Sequence, residues 1–306
     1  MGEARRRRKA IEEGPCPCGS GRPSNTCCYH DRLWHKPPAV LGLRALSAGN
    51  EVKRCYLRDL GSCGGGISSE HLVSRGVVQE LTKGGGFLVS GLPWLEAGET
   101  KLLSPEGITA NCLCRTHNSA LSPLDSAAKH FFSTLSEAFN EDKTQVRSII
   151  SGHDLERWLL KTLRAFAVSG NLGVGRERLP GQLTIDATFG QLLDDPLSWP
   201  DGAGLYCTMP PGDLATNNAR FRLQPHTNDR GEVAMVAVEM MGLVCVLTLE
   251  PPANIKPEDG VYRPSELVIR HPDVTHFCLL SWDPDVRSGG AITMEYAGPA
   301  PASAGT

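Results

Sequence analysis

Asn111-Cys112-Leu113-Cys114-Arg115-Thr116-His117-Asn118, read with Cys55, Cys63 and Ser69-Glu70-His71-Leu72 upstream, decides how this 306-residue chain is understood. Cys114-x-x-His117 at the start of a helix presents a thiol and an imidazole one turn apart. Cys55 and Cys63 can complete a tetrahedral set of soft ligands, a structural zinc site that holds an underfilled hairpin against a helix. Cys112 falls outside the Cys-x-x-His spacing. It reads as a small core residue, with replacement of Cys114 as ligand left open.

Glu70, His71 and Asn118 then stand beside the staple but outside it. A carboxylate and an amide oxygen are hard ligands suited to magnesium or manganese. A neutral histidine can take a proton from water, and a divalent ion can stabilise charge on a phosphate. These are the minimal parts of a phosphodiester hydrolase.

A second soft-ligand group lies near the N-terminus: Cys16-Pro17-Cys18-Gly19-Ser20-Gly21, then Cys27-Cys28. The glycines permit tight turns, so the thiolates of Cys16, Cys18, Cys27 and Cys28 can converge on one zinc, with His30 as a spare for Cys28. A knuckle this small has almost no core and depends on metal to fold.

Two resemblances follow from these residues. Pro15 to Tyr29 resembles the SEC-C zinc motif, and its ligands fall on Cys16, Cys18, Cys27 and Cys28. Residues 55 to 125 resemble the HNH endonuclease superfamily, which implies a treble-clef ββα-metal module. That resemblance places the zinc staple on Cys55, Cys63, Cys114 and His117, the general base on His71, and the catalytic divalent ion on Glu70 and Asn118. Asn111 matches the residue that orients the base. Seven residues separate Cys55 from Cys63, more than the family usually shows.

Around these sites the sequence predicts an α+β chain. A basic arm over 1–13 carries Arg5, Arg6, Arg7 and Arg8 as phosphate contacts. The knuckle spans 14–35, with a linker after it. The HNH-like module spans 51–125 and two packing helices span 122–172. Ser122-Pro123-Leu124-Asp125 reads as the start of the first helix, with Ser122 as N-cap and Asp125 in the reciprocal capping position. The second begins after Ser151 and carries Arg157, Lys161 and Arg164 on a polar face that reads as solvated. From 182 to 297 short strands at regular spacing predict an antiparallel, β-rich region, followed by a disordered tail over 298–306.

Net charge is −3, but residues 1–50 carry nine basic and four acidic side chains, so the positive charge sits at the front. A basic segment supplies phosphate contacts without the whole chain being basic. The 11 cysteines are an odd number, and the basic N-terminus has no apolar run behind it. Both favour metal binding over a disulfide framework, and a cytoplasmic location. No run is apolar enough to imply a membrane span.

The expected function is metal-dependent hydrolysis of nucleic acid, DNA foremost. The alternative is a non-catalytic, zinc-stabilised adaptor for nucleic acid, or for a protein partner bound through the knuckle.

Overall fold

The computed structural model describes residues 2–43, 51–82, 86–209, 220–252, 260–284 and 289–296. Residues 44–50 of the expected 36–50 linker and the tail from Gly298 lie outside the described residues. The chain is α+β, with a cysteine cluster near its N-terminus and a β-rich C-terminal region.

Helix α1 (Gly2–Glu13) leads into the cysteine-rich loops and a small hairpin, β1 (Tyr29–His30) and β2 (Leu33–Trp34). Strand β3 (Ile67–His71), helix α2 (Arg75–Leu81), strands β4 (Phe87–Ser90) and β5 (Lys101–Leu103), and strand β6 (Thr109–Cys114) follow. Next come α3 (Arg115–Asn140), β7 (Arg147–Ser151) and α4 (Gly152–Val168). A short hairpin, β8 (Gly173–Val174) and β9 (Glu177–Arg178), and helix α5 (Phe189–Asp194) lead to the C-terminal strands. These are β10 (Gly204–Thr208), β11 (Arg220–Thr227), β12 (Val233–Met240), β13 (Leu243–Thr248), β14 (Val261–Tyr262), β15 (Pro264–Arg270), β16 (Thr275–Ser281) and β17 (Gly289–Glu295).

Antiparallel β3 and β6 followed by α3 form a ββα unit. The segment between its two strands does not stay local. Strand β4 runs parallel to β11, with Val89 opposite Phe221, and so joins β4 and β5 to a seven-stranded sheet ordered β14-β10-β13-β12-β11-β4-β5. The second sheet, β17-β15-β16-β7, takes β7 from between the two long helices and pairs Ile149 with Leu279. Pairing between distant strands therefore ties the ββα unit, the helices and the C-terminal region together. Burial alternates along β11, with Phe221 and Leu223 inward, as expected for a sheet packed on one face.

Helix α3 starts seven residues earlier than Ser122, and the reason is local. The Cys114 side chain accepts from His117 N, while Arg115 N and Thr116 N donate to the Gly66 and Gly64 carbonyls. The first free N–H groups are thus served before Ser122 is reached. Pro123 then sits inside the helix without breaking it. It has no N–H to give the Ser119 carbonyl, and the Ser122 hydroxyl donates to that carbonyl instead, at 2.8 Å. Leu124, Ala128, Phe131, Phe132, Leu135 and Phe139 form the buried face, as their spacing predicts.

Helix α4 begins as expected, with Ser151 Oγ accepting from Asp154 N at 3.3 Å. Its polar side is not solvated. Asp154, Glu156, Arg157 and Lys161 are all buried. Each has a partner, as burial of charge requires. Arg157 Nη2 lies 2.6 Å from Asp154 Oδ1 and donates to the Ala39 carbonyl at 2.7 Å. Glu156 accepts from Arg263 Nε at 3.1 Å and Nη2 at 2.9 Å, and from Leu205 N at 2.8 Å. Helix α4 is a central buried helix whose charges pin the surrounding layers to it.

Candidate functional site

Two groups among the described residues are fit to hold a metal ion: Cys16, Cys18, Cys27 and Cys28, and Cys55, Cys63, Cys114 and His117. In each, the four candidate ligand atoms lie within 4.8 Å of one another. A zinc ion at about 2.3 Å from sulfur and about 2.05 Å from nitrogen, in tetrahedral geometry, sets sulfur and nitrogen about 3.6 Å apart. His117 Nδ1 lies 3.3 Å from Cys55 Sγ, 3.7 Å from Cys63 Sγ and 3.3 Å from Cys114 Sγ. The donor set and spacing fit zinc bound through Nδ1. Burial lowers the His117 pKa, which keeps the imidazole neutral and able to ligate. Cys112 lies outside the cluster, and burial pushes its thiol up to about 12.

In the N-terminal group Cys18 and Cys27 sulfurs are 3.4 Å apart, and those of Cys27 and Cys28 are 3.7 Å apart. His30 is engaged elsewhere, its Nε2 2.8 Å from the Cys27 carbonyl oxygen, so Cys28 completes the set. The hairpin turns at Asp31 and Arg32, both in the left-handed region. It carries Trp34, whose ring lies 4.9 Å below the Arg147 guanidinium. Cys16 and Cys28 pack with Ile149 and Leu279 in a small core separate from the main one.

The residues expected to carry chemistry are distributed differently from the staple. Glu70 is buried and its Oε1 lies 2.8 Å from Lys161 Nζ. The same ammonium lies 2.6 Å from both carboxylate oxygens of Asp125. Ser74 Oγ donates to Asp125 and accepts from Trp158 Nε1 at 2.6 Å. Asp125 is therefore an ion-pair partner seated inside α3 rather than a helix cap. Asn118 donates to Ser68 Oγ at 3.2 Å and also steadies the Glu70 carboxylate. So Glu70 and Asn118 do come together, around a cation that the chain itself supplies.

Burial raises the Glu70 pKa against the pull of Lys161. Burial alone would depress Lys161, but the Asp125 and Glu70 carboxylates overturn that and hold the ammonium above its ordinary value. His71, next along the strand, has its pKa lowered by burial and then by Arg75, so it is neutral near pH 7. Its Nε2 is buried and has no hydrogen-bond partner among the described residues.

Asn111 is exposed and lines a cleft of about 300 Å³ together with Lys53, Arg54, Tyr56, Arg58 and Arg164; His71 is not among the lining residues. Tyr56 and Cys112 form part of this lining, and both feel the charge of Glu70. Arg5 and Arg6 are exposed on α1; the side chains of Arg7 and Arg8 lie outside the described residues.

The role of Lys161 is what sequence reasoning missed, having placed it on a solvated face. Its neighbours Leu159, Leu160 and Leu163 carry the only signal, a lysine set in a strongly apolar helix. Among the described residues no helix is long and apolar enough to cross a membrane. No family model, no curated protein and no solved structure matches the chain.

Proposed function

We propose that this chain is a zinc-stabilised nucleic-acid-binding adaptor, built on an HNH-like ββα module that holds nucleic acid without cutting it. The observation that carries the second half of this reading is Lys161. Its ammonium lies between Glu70 and Asp125, where a divalent ion would need the same oxygens. A buried carboxylate already paired with a lysine has lost both its access and its charge surplus for Mg2+ or Mn2+. Binding itself is supported by the basic cleft beside the staple and by the exposed arginines of α1. The SEC-C-like knuckle, docked on the second sheet, is available to a protein partner through the outer face of its hairpin, where Leu33 is exposed.

A second reading, metal-dependent phosphodiester hydrolysis, is favoured by His71. A neutral imidazole with an unbonded Nε2 is what a general base requires. One experiment separates the two. The zinc-loaded full chain is mixed with labelled duplex DNA, single-stranded DNA and RNA, with Mg2+ or Mn2+ added. Binding without cleavage is expected. Cleavage that needs the divalent ion and disappears in His71→Ala, with zinc content unchanged, replaces the adaptor reading by the nuclease one.

A further inference from the structure

The cleft beside the staple has a feature that the sequence reading did not assign. Lys53 and Arg54 are exposed at its rim, and neither has an ion-pair partner among the described residues. Arg58 is oriented toward them: its Nη1 donates to the Lys53 carbonyl at 2.8 Å, and its Nε lies 3.5 Å from Asp59. On the opposite wall Arg164 is held by Asp186 at 2.6 Å and lies 5.3 Å over the Phe189 ring. Tyr56 also lines the cleft, and its hydroxyl is buried without a hydrogen-bond partner among the described residues. Four cations and an exposed amide, Asn111, thus face one concavity whose acidic groups, Asp59 and the nearby Asp186, are engaged by Arg58 and Arg164.

Both walls of the cleft are tied to the interior of the fold. Cys55 is both a lining residue and a candidate zinc ligand, so bound metal would hold the loop that carries Lys53, Arg54 and Arg58. Arg164 stands one turn beyond Lys161 on α4, so the buried ion pairs anchor the other wall. Preorganised cations on two fixed walls suit a ligand with repeated negative charge. A cleft of about 300 Å³ has room for a short stretch of sugar-phosphate backbone. By contrast α1 presents Arg5 and Arg6 exposed, and its Lys9 is paired with Glu13 at 3.8 Å.

We infer that this cleft, more than the N-terminal arginines, is the surface that grips phosphodiester groups of one nucleic-acid strand, with Lys53 and Arg54 as the free phosphate contacts and Arg58, Arg164 and Asn111 shaping the groove. The inference rests on the nucleic-acid-binding reading above.

The test uses the zinc-loaded full chain and fluorescence anisotropy with labelled single-stranded DNA, duplex DNA and RNA over a salt series. Two double variants are compared, Lys53→Gln with Arg54→Gln, and Arg5→Gln with Arg6→Gln. All four positions are exposed, so zinc content and circular dichroism are expected to match the wild type. The cleft variant is expected to lose at least ~10-fold in affinity at low salt, and its salt slope to fall by about two, one for each cation removed. The arm variant is expected to change less. If the wild type binds and the cleft variant binds with unchanged affinity and slope, the cleft assignment falls while the adaptor reading stands. If the wild type binds none of the three probes, both fall.

Discussion

The two cysteine sites share a ligand chemistry and differ in almost everything around it. In the inner site Cys55, Cys63, Cys114 and His117 are all buried, and the three cysteines belong to the main core. In the outer site Cys18 and Cys27 are partly open, and the site rests on a small core of its own with Ile149 and Leu279. The inner ligand set lies where strands, helices and the charged helix α4 meet; the outer set lies in a peripheral hairpin against a sheet. The same zinc chemistry would therefore carry different fractions of the stability at the two places, according to how much of the fold passes through each.

The largest expected effect is loss of the inner site. Structural zinc contributes roughly 10 kcal/mol or more in small metal-dependent folds, against a typical total of about 5–15 kcal/mol for a domain. His117→Ala or Cys114→Ser is expected to remove one zinc and abolish cooperative unfolding, read by elemental analysis and circular dichroism. Cys16→Ser is expected to remove the other zinc while the main transition persists. A Cys16→Ser chain that unfolds as fully as His117→Ala would erase the distinction between the two sites.

The next effect concerns what flanks the inner site. Lys161→Met leaves Glu70 and Asp125 facing each other without a cation, and about 3–5 kcal/mol of stability is expected to be lost in a urea titration. Adding Glu70→Gln to it is expected to recover part of that loss, because one uncompensated buried charge is then gone. A neutral effect of Lys161→Met would mean that the carboxylates find another cation, which is the condition the nuclease reading needs.

The same lysine gives a pH dependence with a definite sign. Its folded-state pKa is raised, so its contribution is complete below the ordinary lysine value of about 10.4 and is lost as pH rises through the folded value. Wild-type stability is expected to show this alkaline limb, and Lys161→Met to lack it. Any alkaline loss that remains in the variant belongs to other groups.

The smallest effect lies at the outer site. Trp34→Leu removes the ring beneath the Arg147 guanidinium and is expected to cost about 0.5–1 kcal/mol, with zinc content unchanged. Thermal unfolding of the variant checks it. A large loss there would make the knuckle part of the main folding unit.

Much of this architecture is legible in the amino-acid order, and for local reasons. Short strands at regular spacing between turn residues were expected from 182 onward, and β10 to β17 stand in that region. Ser151 announced α4 because an N-cap is a nearest-neighbour property. Ser122 misled for the same kind of reason. Its capping signature is genuine, but the hydroxyl serves the carbonyl left open by Pro123 within a helix already begun at Arg115. The side chains expected to carry chemistry were only partly legible. Glu70 and Asn118 do meet, yet Asn111 opens onto a different cleft.

What the sequence by itself determined is the identity and spacing of two four-residue groups fit to hold a metal, since Cys-x-x-His and Cys-x-Cys constrain geometry over a few residues. It also determined the α+β character and the β-rich C-terminal region. Only the tertiary structure decided that the polar residues of α4 lie inside, that β4 crosses to pair with β11, and that an ammonium stands between Glu70 and Asp125. The physical reason is the same in each case. Periodicity assigns a charge to the solvent side of a helix, but whether that charge is solvated or paired depends on residues 36 and 91 positions away, Asp125 and Glu70, that no local pattern connects to Lys161.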